Sequence, residues 1–315
     1  MYLISENVRL FFGLGGLDKP NGKRLLSAQT WHRKSPRLQA INLALLVVVA
    51  VCFSPPAEAK RGHAVSRPPS LDVPSSPETD ARVADEVAKA QKILEQLNTD
   101  NLLASPYLVS AIYYHDGFLR DFPVDRSSSD PERRIIGQIA KLLSPERKVR
   151  FVQLLHEVWE RSGRAGPERS SEPVTFSKIS GGRRSHRDAV DLFAPEGAAV
   201  HAVSRGLVIL ADHDWTLSNL FSSTSRKGGN AVIVFDPDHD LFYRYCHLGT
   251  VQVSSGNIVA AGQILGTVGH TGLNASRPGH GCHLHLEANQ YAAGHVRAMD
   301  YRRLRNMLRQ WHNRA

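Results

Sequence analysis

Hydrophobic positions divide the chain into a helical part and a strand-rich part. Between residues 81 and 163, apolar side chains recur every three or four positions, which is the period of an amphipathic helix. The first such series is Val83, Val87, Ala90, Leu94 and Leu97. Three of the series follow a capping residue and a proline suited to a helix start: Ser76-Pro77, Asp130-Pro131 and Ser144-Pro145. With a further segment around 105–118, the pattern predicts a small all-α region of three or four helices.

From residue 174 to residue 298 the period changes to two. The segments "AVHAVSRGLVILADH" and "NAVIVFDPDHDLFYRYCHL" are β-branched runs interrupted by Gly or by an Asp-Pro-Asp turn. Long helical patterns do not alternate with these runs, which disfavours a parallel α/β fold. We therefore predict a mainly antiparallel β domain that follows the all-α region.

The first 59 residues have the features of an export signal. Basic residues precede the apolar run Ile41–Phe53, whose 13 residues are too few for a comfortable membrane span of roughly 20. Ala57 and Ala59 then offer a small-residue cleavage site. We predict a signal peptide over 1–59, an exported protein of the periplasm or cell envelope, and no stable membrane span in the mature chain. An uncleaved anchor is the alternative.

The remaining segments connect or terminate these regions. The Pro- and Ser-rich residues 60–80 and the segment 164–173 are predicted to be linkers. The basic residues 299–315 are predicted to form a C-terminal helical tail.

Composition and charge narrow the class of partner. The chain has 315 residues, of which 42% are apolar and 22% charged, values typical of a globular protein. The formal charge is +9, but residues 60–315 carry only +5, from 32 basic and 27 acidic groups. This mild excess suits an anionic polymer or surface. Without a phosphate loop or a nucleic-acid motif in the sequence, we expect no nucleic-acid partner.

Histidines are concentrated at the edges of the predicted strands. In "GCHLHLEANQ", strand alternation places His283, His285 and Glu287 on one face and the leucines on the other. Elsewhere in the β region, "SHRDAVDLFAPEG" and "YRYCHLG" carry further candidates. Imidazoles with a carboxylate are what a zinc site with three protein ligands and an open fourth position requires. Metal binding, proton transfer and plain surface polarity all remain open from this pattern alone.

Four ordered motifs give a resemblance to a known family. The segments "HRDAVDLFAPEGAAVHAVSRGLV", "YCHLG", "GQILGTVGHTG" and "GCHLHLE" resemble the lysostaphin-type (LytM-like) zinc endopeptidases, which cut bacterial cell-wall peptides. The similarity covers residues 174–298. It implies a compact antiparallel β fold of the duplicated-hybrid-motif type with a narrow groove, one Zn²⁺ per chain, and peptidoglycan as the partner.

The resemblance also implies a role for individual residues. It assigns Zn²⁺ to His186, Asp191 and His285, while His247 and His283 flank the attacking water and the scissile carbonyl. In this assignment His283 accepts a proton and His247 stabilises the oxyanion. Glu287 is expected to be a buried hydrogen-bonding residue beside the metal site.

The first ligand pair departs from the family spacing. The family has His-x-x-x-Asp, but here the residue four before Asp191 is Arg187, which cannot bind zinc, and His186 lies five before. In a continuous strand this odd offset would separate the two side chains, whereas a bulge or loop would let them converge. Asp188 is a conceivable substitute ligand, and a weakened or absent metal site is the remaining alternative.

The leading functional prediction is an exported zinc metallo-endopeptidase that hydrolyses peptide bonds in peptidoglycan stem peptides or cross-links. The alternative is a catalytically silent relative that binds cell wall or activates another hydrolase. A cupin-like metal enzyme would not explain the Gly-rich third motif. The helical region is a candidate site for a regulatory partner.

The cysteines and the other histidines receive simpler interpretations. Cys246 and Cys282 are predicted to be small buried residues, with a disulfide between them as the alternative. His201, His213, His239, His270 and His280 are predicted to be solvated loop residues.

Overall fold

The computed structural model describes residues 76–114, 130–163, 166, 170–182, 187–222, 226–273 and 275–312. The predicted signal peptide and His186 lie outside the described residues. Within the described ranges, no helix is both long and apolar enough to cross a membrane.

The all-α region consists of helices of which three begin at the predicted prolines, while the helix expected around 105–118 begins at Pro106. These are α1 (Pro77–Glu95), α2 (Pro106–Tyr113), α3 (Pro131–Leu142) and α4 (Pro145–Arg161). The hydroxyls of Ser76, Ser105 and Ser144 accept backbone N–H groups of their first helical turns at 3.1, 3.2 and 3.3 Å. Such caps satisfy donors that the helix itself leaves without partners. Helix α1 begins at Pro77, inside the segment predicted as linker, because Ser76 already provides the cap.

The β region is antiparallel throughout, as predicted. Its strands are β1 (Lys178–Gly181), β2 (Ala189–Phe193), β3 (Ala199–His201), β4 (Gly206–Asp212), β5 (Ala231–Asp236), β6 (Leu241–Cys246), β7 (Leu248–Val251), β8 (Ile258–Val259), β9 (Ile264–Val268), β10 (His283–Ala292) and β11 (His295–Ala298). The large sheet has the order β1-β2-β10-β6-β5-β4-β8, with β11 also paired to β10. The small sheet has the order β3-β9-β7.

Both faces of the large sheet are buried, and each face has its own core. In β5, Ile233 and Phe235 join the apolar side chains of α1–α4, whereas Val232 and Val234 face the opposite way. This alternation follows from the two-residue period of a strand. The second face packs against the small sheet and against α5 (Tyr301–His312), the predicted C-terminal helix. The helical region is therefore part of the same folded unit as the β region.

Glu132 in the first turn of α3 is a buried carboxyl group at the junction of helices and sheet. It is 2% exposed, and its Oε2 accepts the backbone N–H of Arg226 at 2.7 Å. Burial, together with the nearby charge of Asp130, raises the pKa of Glu132 to about 8, although Arg244 and the bond from Arg226 act in the opposite direction. The group is thus protonated in the folded protein at neutral pH.

Glu132→Gln should remove a pH-dependent loss of stability. In the folded protein, Glu132 stays neutral up to about pH 8, whereas in the unfolded chain it ionises near its ordinary pKa. Its contribution to the free energy of unfolding is therefore complete at low pH and is lost as the pH rises towards 8. We expect the variant to match the wild type near pH 5 and to exceed it at pH 8 by roughly 1 kcal/mol or more. Urea unfolding at both pH values measures this difference.

Glu146→Gln is the matched control. Glu146 occupies the same Pro-Glu-Arg helix start in α4 but is exposed. Its pKa is lowered by the Ser144 hydroxyl, so its loss should slightly destabilise the protein at neutral pH. If both variants gained the same stability at pH 8, burial of Glu132 would not be the cause of the effect.

Candidate metal and catalytic site

Strand β10 places the histidine pair at the centre of the large sheet. His285 lies opposite Asp191 of β2 on one side and Cys246 of β6 on the other, and Glu287 lies opposite Arg244. Directly opposed residues of antiparallel strands bring their side chains within contact distance on a common face. The predicted alternation is confirmed, because the intervening Leu284 and Leu286 belong to the second core.

His285 is held between two carboxylates. Its Nδ1 lies 2.8 Å from Asp191 Oδ1 and its Nε2 lies 3.0 Å from Glu287 Oε1. Burial alone would lower the pKa of His285, but hydrogen bonds to Asp191 and Glu287 and the charges of both carboxylates raise the pKa to about 9. Without a metal, the ring is therefore an imidazolium that donates from both nitrogens.

Glu287 is in turn held by residues from β6 and from helix α2. Arg244 Nη1 donates to its Oε1 and Oε2 at 3.1 and 3.3 Å, and the Tyr113 hydroxyl donates to Oε2. Burial alone would raise the pKa of Glu287, but the charge of Arg244 and the bonds from His285 and Tyr113 hold it well below its usual range. Glu287 is thus a fixed anion that orients His285, in agreement with the predicted hydrogen-bonding role.

His283 has one nitrogen occupied by the backbone. Its Nδ1 lies 2.8 Å from the carbonyl oxygen of Gly281, which can only accept, so Nδ1 carries the hydrogen. Burial lowers the pKa of His283, and the neutral ring then has its lone pair on Nε2. That nitrogen lies 3.9 Å from Asp191 Oδ1, and the ring also contacts Phe193, with centroids 5.3 Å apart.

His247 is held in the same tautomer by a strained turn. It joins β6 to β7 with a φ of +63°, a left-handed conformation that is uncommon for a residue with a side chain. Its Nδ1 donates to the carbonyl oxygen of Thr271 at 2.8 Å. Burial and the neighbouring His285 and His283 lower the pKa of His247 to about 3. The ring is neutral at physiological pH, with its lone pair on Nε2.

Gly272 makes this contact sterically feasible. A Cβ atom at this position would lie 2.3 Å from the carbonyl oxygen of Lys227 and 2.9 Å from His247 Nδ1, and its φ is +99°. A glycine is therefore required for the loop after β9 to approach His247. This is the physical basis of the last glycine in the "GQILGTVGHTG" motif.

The structure brings together four of the five predicted site residues. The ring of His247 lies with its centroid 4.8 Å from that of His283 and 5.7 Å from that of His285, and Asp191 joins them through the contacts given above. The fifth residue, His186, lies outside the described residues. Arg187 and Asp188 form a turn before β2 begins at Ala189, so strand alternation does not apply to the step between His186 and Asp191.

The donor set of Asp191 and His285 fits a zinc ion. Their facing atoms, Oδ1 and Nδ1, are the carboxylate oxygen and imidazole nitrogen that Zn²⁺ prefers, and the two side chains are only 12% and 13% exposed. Glu287 holds the other nitrogen of His285, as carboxylates commonly do for metal-bound histidines. Nδ1 would lose its hydrogen on binding, so the ion would replace the proton that these groups share in its absence.

Sequence reasoning missed several residues around this site. Arg244 and Tyr113 anchor Glu287, but they lie 43 and 174 residues away from it in the sequence. His270 was predicted to be a solvated loop residue, yet its Nε2 lies 3.1 Å from the sulfur of Cys282. The pattern of alternation in β6 could have indicated Arg244, since it shares a face with the buried Phe242.

Cys246 and Cys282 are both free thiols, so the predicted alternative of a disulfide between them is not realised. Cys246 is fully buried, as predicted, and burial raises the pKa of its thiol to about 12. Cys282 differs from the prediction because it is only partly buried, at the start of β10.

Comparison with known proteins gives one family. Residues 185–298 match the sequence model described as Peptidase family M23. Among solved structures, the chain is similar to lysostaphin from Staphylococcus simulans, with 23% identity, a TM-score of 0.33, and coverage of 47% of this chain and 56% of that one. A putative peptidase M23 from Pseudomonas aeruginosa gives 24% identity, a TM-score of 0.31, and coverage of 45% and 57%.

A further similar structure is a zinc containing peptidase from Vibrio cholerae, with 25% identity, a TM-score of 0.31, and coverage of 42% of this chain and 39% of that one. The chain thus spans just over half the length of the first two solved structures. The matched segment contains Asp191, His247, His283 and His285 in the order predicted from the motifs. Residues 185–298 therefore match peptidase family M23.

Proposed function

We propose that this protein is an exported zinc metallo-endopeptidase that hydrolyses peptide bonds in peptidoglycan stem peptides or cross-links. The observation that carries the proposal is the convergence of Asp191, His247, His283 and His285 from three separate segments: β2, the turn between β6 and β7, and β10. Buried polar residues cost free energy unless they are paired, so a cluster of this kind is retained where chemistry requires it. The family match supports hydrolysis of a peptide bond as that chemistry.

The metal ligands in this proposal are Asp191, His285 and His186. Asp191 and His285 offer their facing atoms, and Arg187 and Asp188 form a turn before β2. His186 is included as the ligand that the resemblance implies. When bound, Zn²⁺ would lower the pKa of a water molecule to about 7 and polarise the scissile carbonyl. Proton transfer and orientation of the water are assigned to side chains of this protein.

His283 is the proposed general base. The Gly281 carbonyl holds its Nδ1–H, so the lone pair of Nε2 is directed away from the backbone and towards the side of Asp191. Burial keeps the ring neutral at physiological pH, which is the state that accepts a proton from the attacking water. The same nitrogen can afterwards return that proton to the leaving amine.

For His247 we propose a role other than the oxyanion stabilisation that the resemblance implies. Oxyanion stabilisation needs an N–H on Nε2, but the bond from Nδ1 to Thr271 and the pKa of about 3 keep Nε2 without a hydrogen. In this tautomer His247 accepts a hydrogen bond from the attacking water. Two acceptors, His247 and His283, would then fix the orientation of one water molecule before reaction.

The wild-type protein, as residues 60–315, should release uncross-linked peptides from purified sacculi, and a chelator should abolish the release until Zn²⁺ is restored. His283→Ala should lower the rate by about 100-fold or more, because general acid–base catalysis contributes on this scale. Mass spectrometry of the soluble fragments measures the release and identifies the bond that is cut.

His213→Ala is the matched control for that change. His213 belongs to the same domain, but its side chain is 69% exposed, so we expect an unchanged rate. Zinc-loaded wild-type protein that leaves sacculi intact would contradict the peptidase proposal. That outcome would favour the alternative of a catalytically silent protein that binds cell wall or activates another hydrolase.

Glu287→Gln should weaken zinc binding by about 10-fold to 100-fold, the usual cost of losing a group that orients a metal ligand. The amide keeps the shape of the side chain but removes the charge that makes His285 electron-rich. It also leaves the buried Arg244 without its counter-ion, which should lower stability by roughly 3 kcal/mol. Zinc affinity is measured by competition with a chelating dye at a temperature where circular dichroism shows folded protein.

Two tyrosine variants separate positioning from folding. Tyr113→Phe keeps both charges and removes only the hydroxyl that donates to Glu287, so we expect a loss of zinc affinity smaller than that of Glu287→Gln. Tyr114→Phe removes a neighbouring buried hydroxyl and should leave zinc affinity unchanged. Wild-type affinity in folded Glu287→Gln protein would show that Glu287 does not position the ligand.

A further inference from the structure

A second cluster of potential metal ligands lies beside the candidate site. Glu196, His270 and Cys282 each place one donor atom within 4.8 Å of the other two. They come from three separate segments: the turn after β2, the loop after β9, and the residue immediately before β10. None of the three belongs to the ligand set proposed for the catalytic zinc.

The spacing of the donor atoms fits a single bound ion. His270 Nδ1 lies 3.4 Å from Cys282 Sγ and 3.6 Å from Glu196 Oε2. Tetrahedral Zn²⁺ with Zn–S near 2.3 Å and Zn–N or Zn–O near 2.1 Å separates such donors by about 3.5 Å. Cys282 Sγ also lies 3.1 Å from His270 Nε2, so the His270 ring would have to rotate to direct one nitrogen at an ion shared with the thiolate. The partial exposure of the three side chains leaves room for this rotation.

The chemistry of the three donors is also selective. Thiolate, imidazole and carboxylate together are ligands of Zn²⁺ and similar transition-metal ions, whereas Mg²⁺ and Ca²⁺ prefer oxygen alone. The partial exposure of the cluster leaves an entry path and room for a water molecule as the fourth ligand.

We propose that Glu196, His270 and Cys282 form a second binding site for Zn²⁺ or another thiophilic divalent cation, distinct from the catalytic site. Its position gives the site a structural consequence. His270 immediately precedes Thr271, whose carbonyl holds His247, and Cys282 immediately precedes His283. An ion bound here would link the two loops that orient both catalytic histidines. The site is defined by its own ligands and does not depend on peptidase activity.

Cobalt provides a direct test, because a thiolate bound to Co²⁺ gives an intense near-ultraviolet charge-transfer band that imidazole and carboxylate ligands do not give. The metal-free protein is titrated with Co²⁺ under a phosphine reductant that keeps both thiols reduced. We expect the band in the wild type and its loss in Cys282→Ser. We also expect elemental analysis of zinc-loaded Cys282→Ser to show one equivalent of zinc fewer than the wild type.

Further variants separate the two sites and the two thiols. His285→Ala, which disrupts the catalytic ligand set, should keep the charge-transfer band. Cys246→Ala should also keep it, because the Cys246 thiol is fully buried. His270→Ala should weaken Co²⁺ binding at the thiolate by about 10-fold or more, since a direct ligand matters at least as much as a residue that orients one.

Three results would overturn the proposal. They are a wild-type protein that binds Co²⁺ without the band, a band that persists in Cys282→Ser, and unchanged thiolate affinity in His270→Ala. Metal-free thermal unfolding of each variant establishes that a lost band reflects a lost ligand and not a lost fold.

Discussion

The hydrogen bond between His285 and Glu287 is the interaction on which the site depends. It lies in the interior, where an unpaired charge is expensive, so Glu287 is retained only together with Arg244 and the hydroxyl of Tyr113. These partners leave Glu287 one orientation, and Glu287 in turn gives the ring of His285 one orientation. In this orientation, Nδ1 of His285 faces Asp191. The orientation of the His285 ring is therefore set by the protein's own charges.

This network explains why the helical region belongs to the same folded unit as the sheet. Helix α2 ends at Tyr113, whose hydroxyl reaches Glu287 and whose carbonyl accepts the side-chain amide of Asn289. Both acceptor and donor lie on the sheet face that also carries His283 and His285. The helices thus bury one part of this face and the site occupies another. A partner that altered the packing of α2 could shift His285, the proposed zinc ligand, through Tyr113 and Glu287. This is a physical route for the predicted regulatory role of the helical region.

Local signals were sufficient for the elements but not for the network. A proline after a capping residue predicted three helix starts, because the cap and the first-turn proline both lie within four residues of sequence. Alternation in "HLHLE" predicted which side chains share a face for the same reason. The partners of Glu287 could not be predicted, since strand order brings Arg244 beside it and helix packing brings Tyr113. The cluster of Glu196, His270 and Cys282 was missed because a thiol next to a histidine in sequence was interpreted through its own strand, while its contacts come from two other loops.

The tautomers of the two catalytic histidines are the last constraint, and they too come from the backbone. The carbonyls of Gly281 and Thr271 each hold an Nδ1–H, so both rings present a lone pair on Nε2. A carbonyl oxygen cannot donate, so this choice does not reverse with small changes in pH. Two acceptors can orient the hydrogens of one water molecule, whereas an acceptor and an oxyanion donor would require one ring to be protonated. With the pKa of His247 at about 3, protonation of that ring is unfavourable at neutral pH. In the proposed mechanism, His247 and His283 therefore share the task of orienting the nucleophile, and neither stabilises the oxyanion.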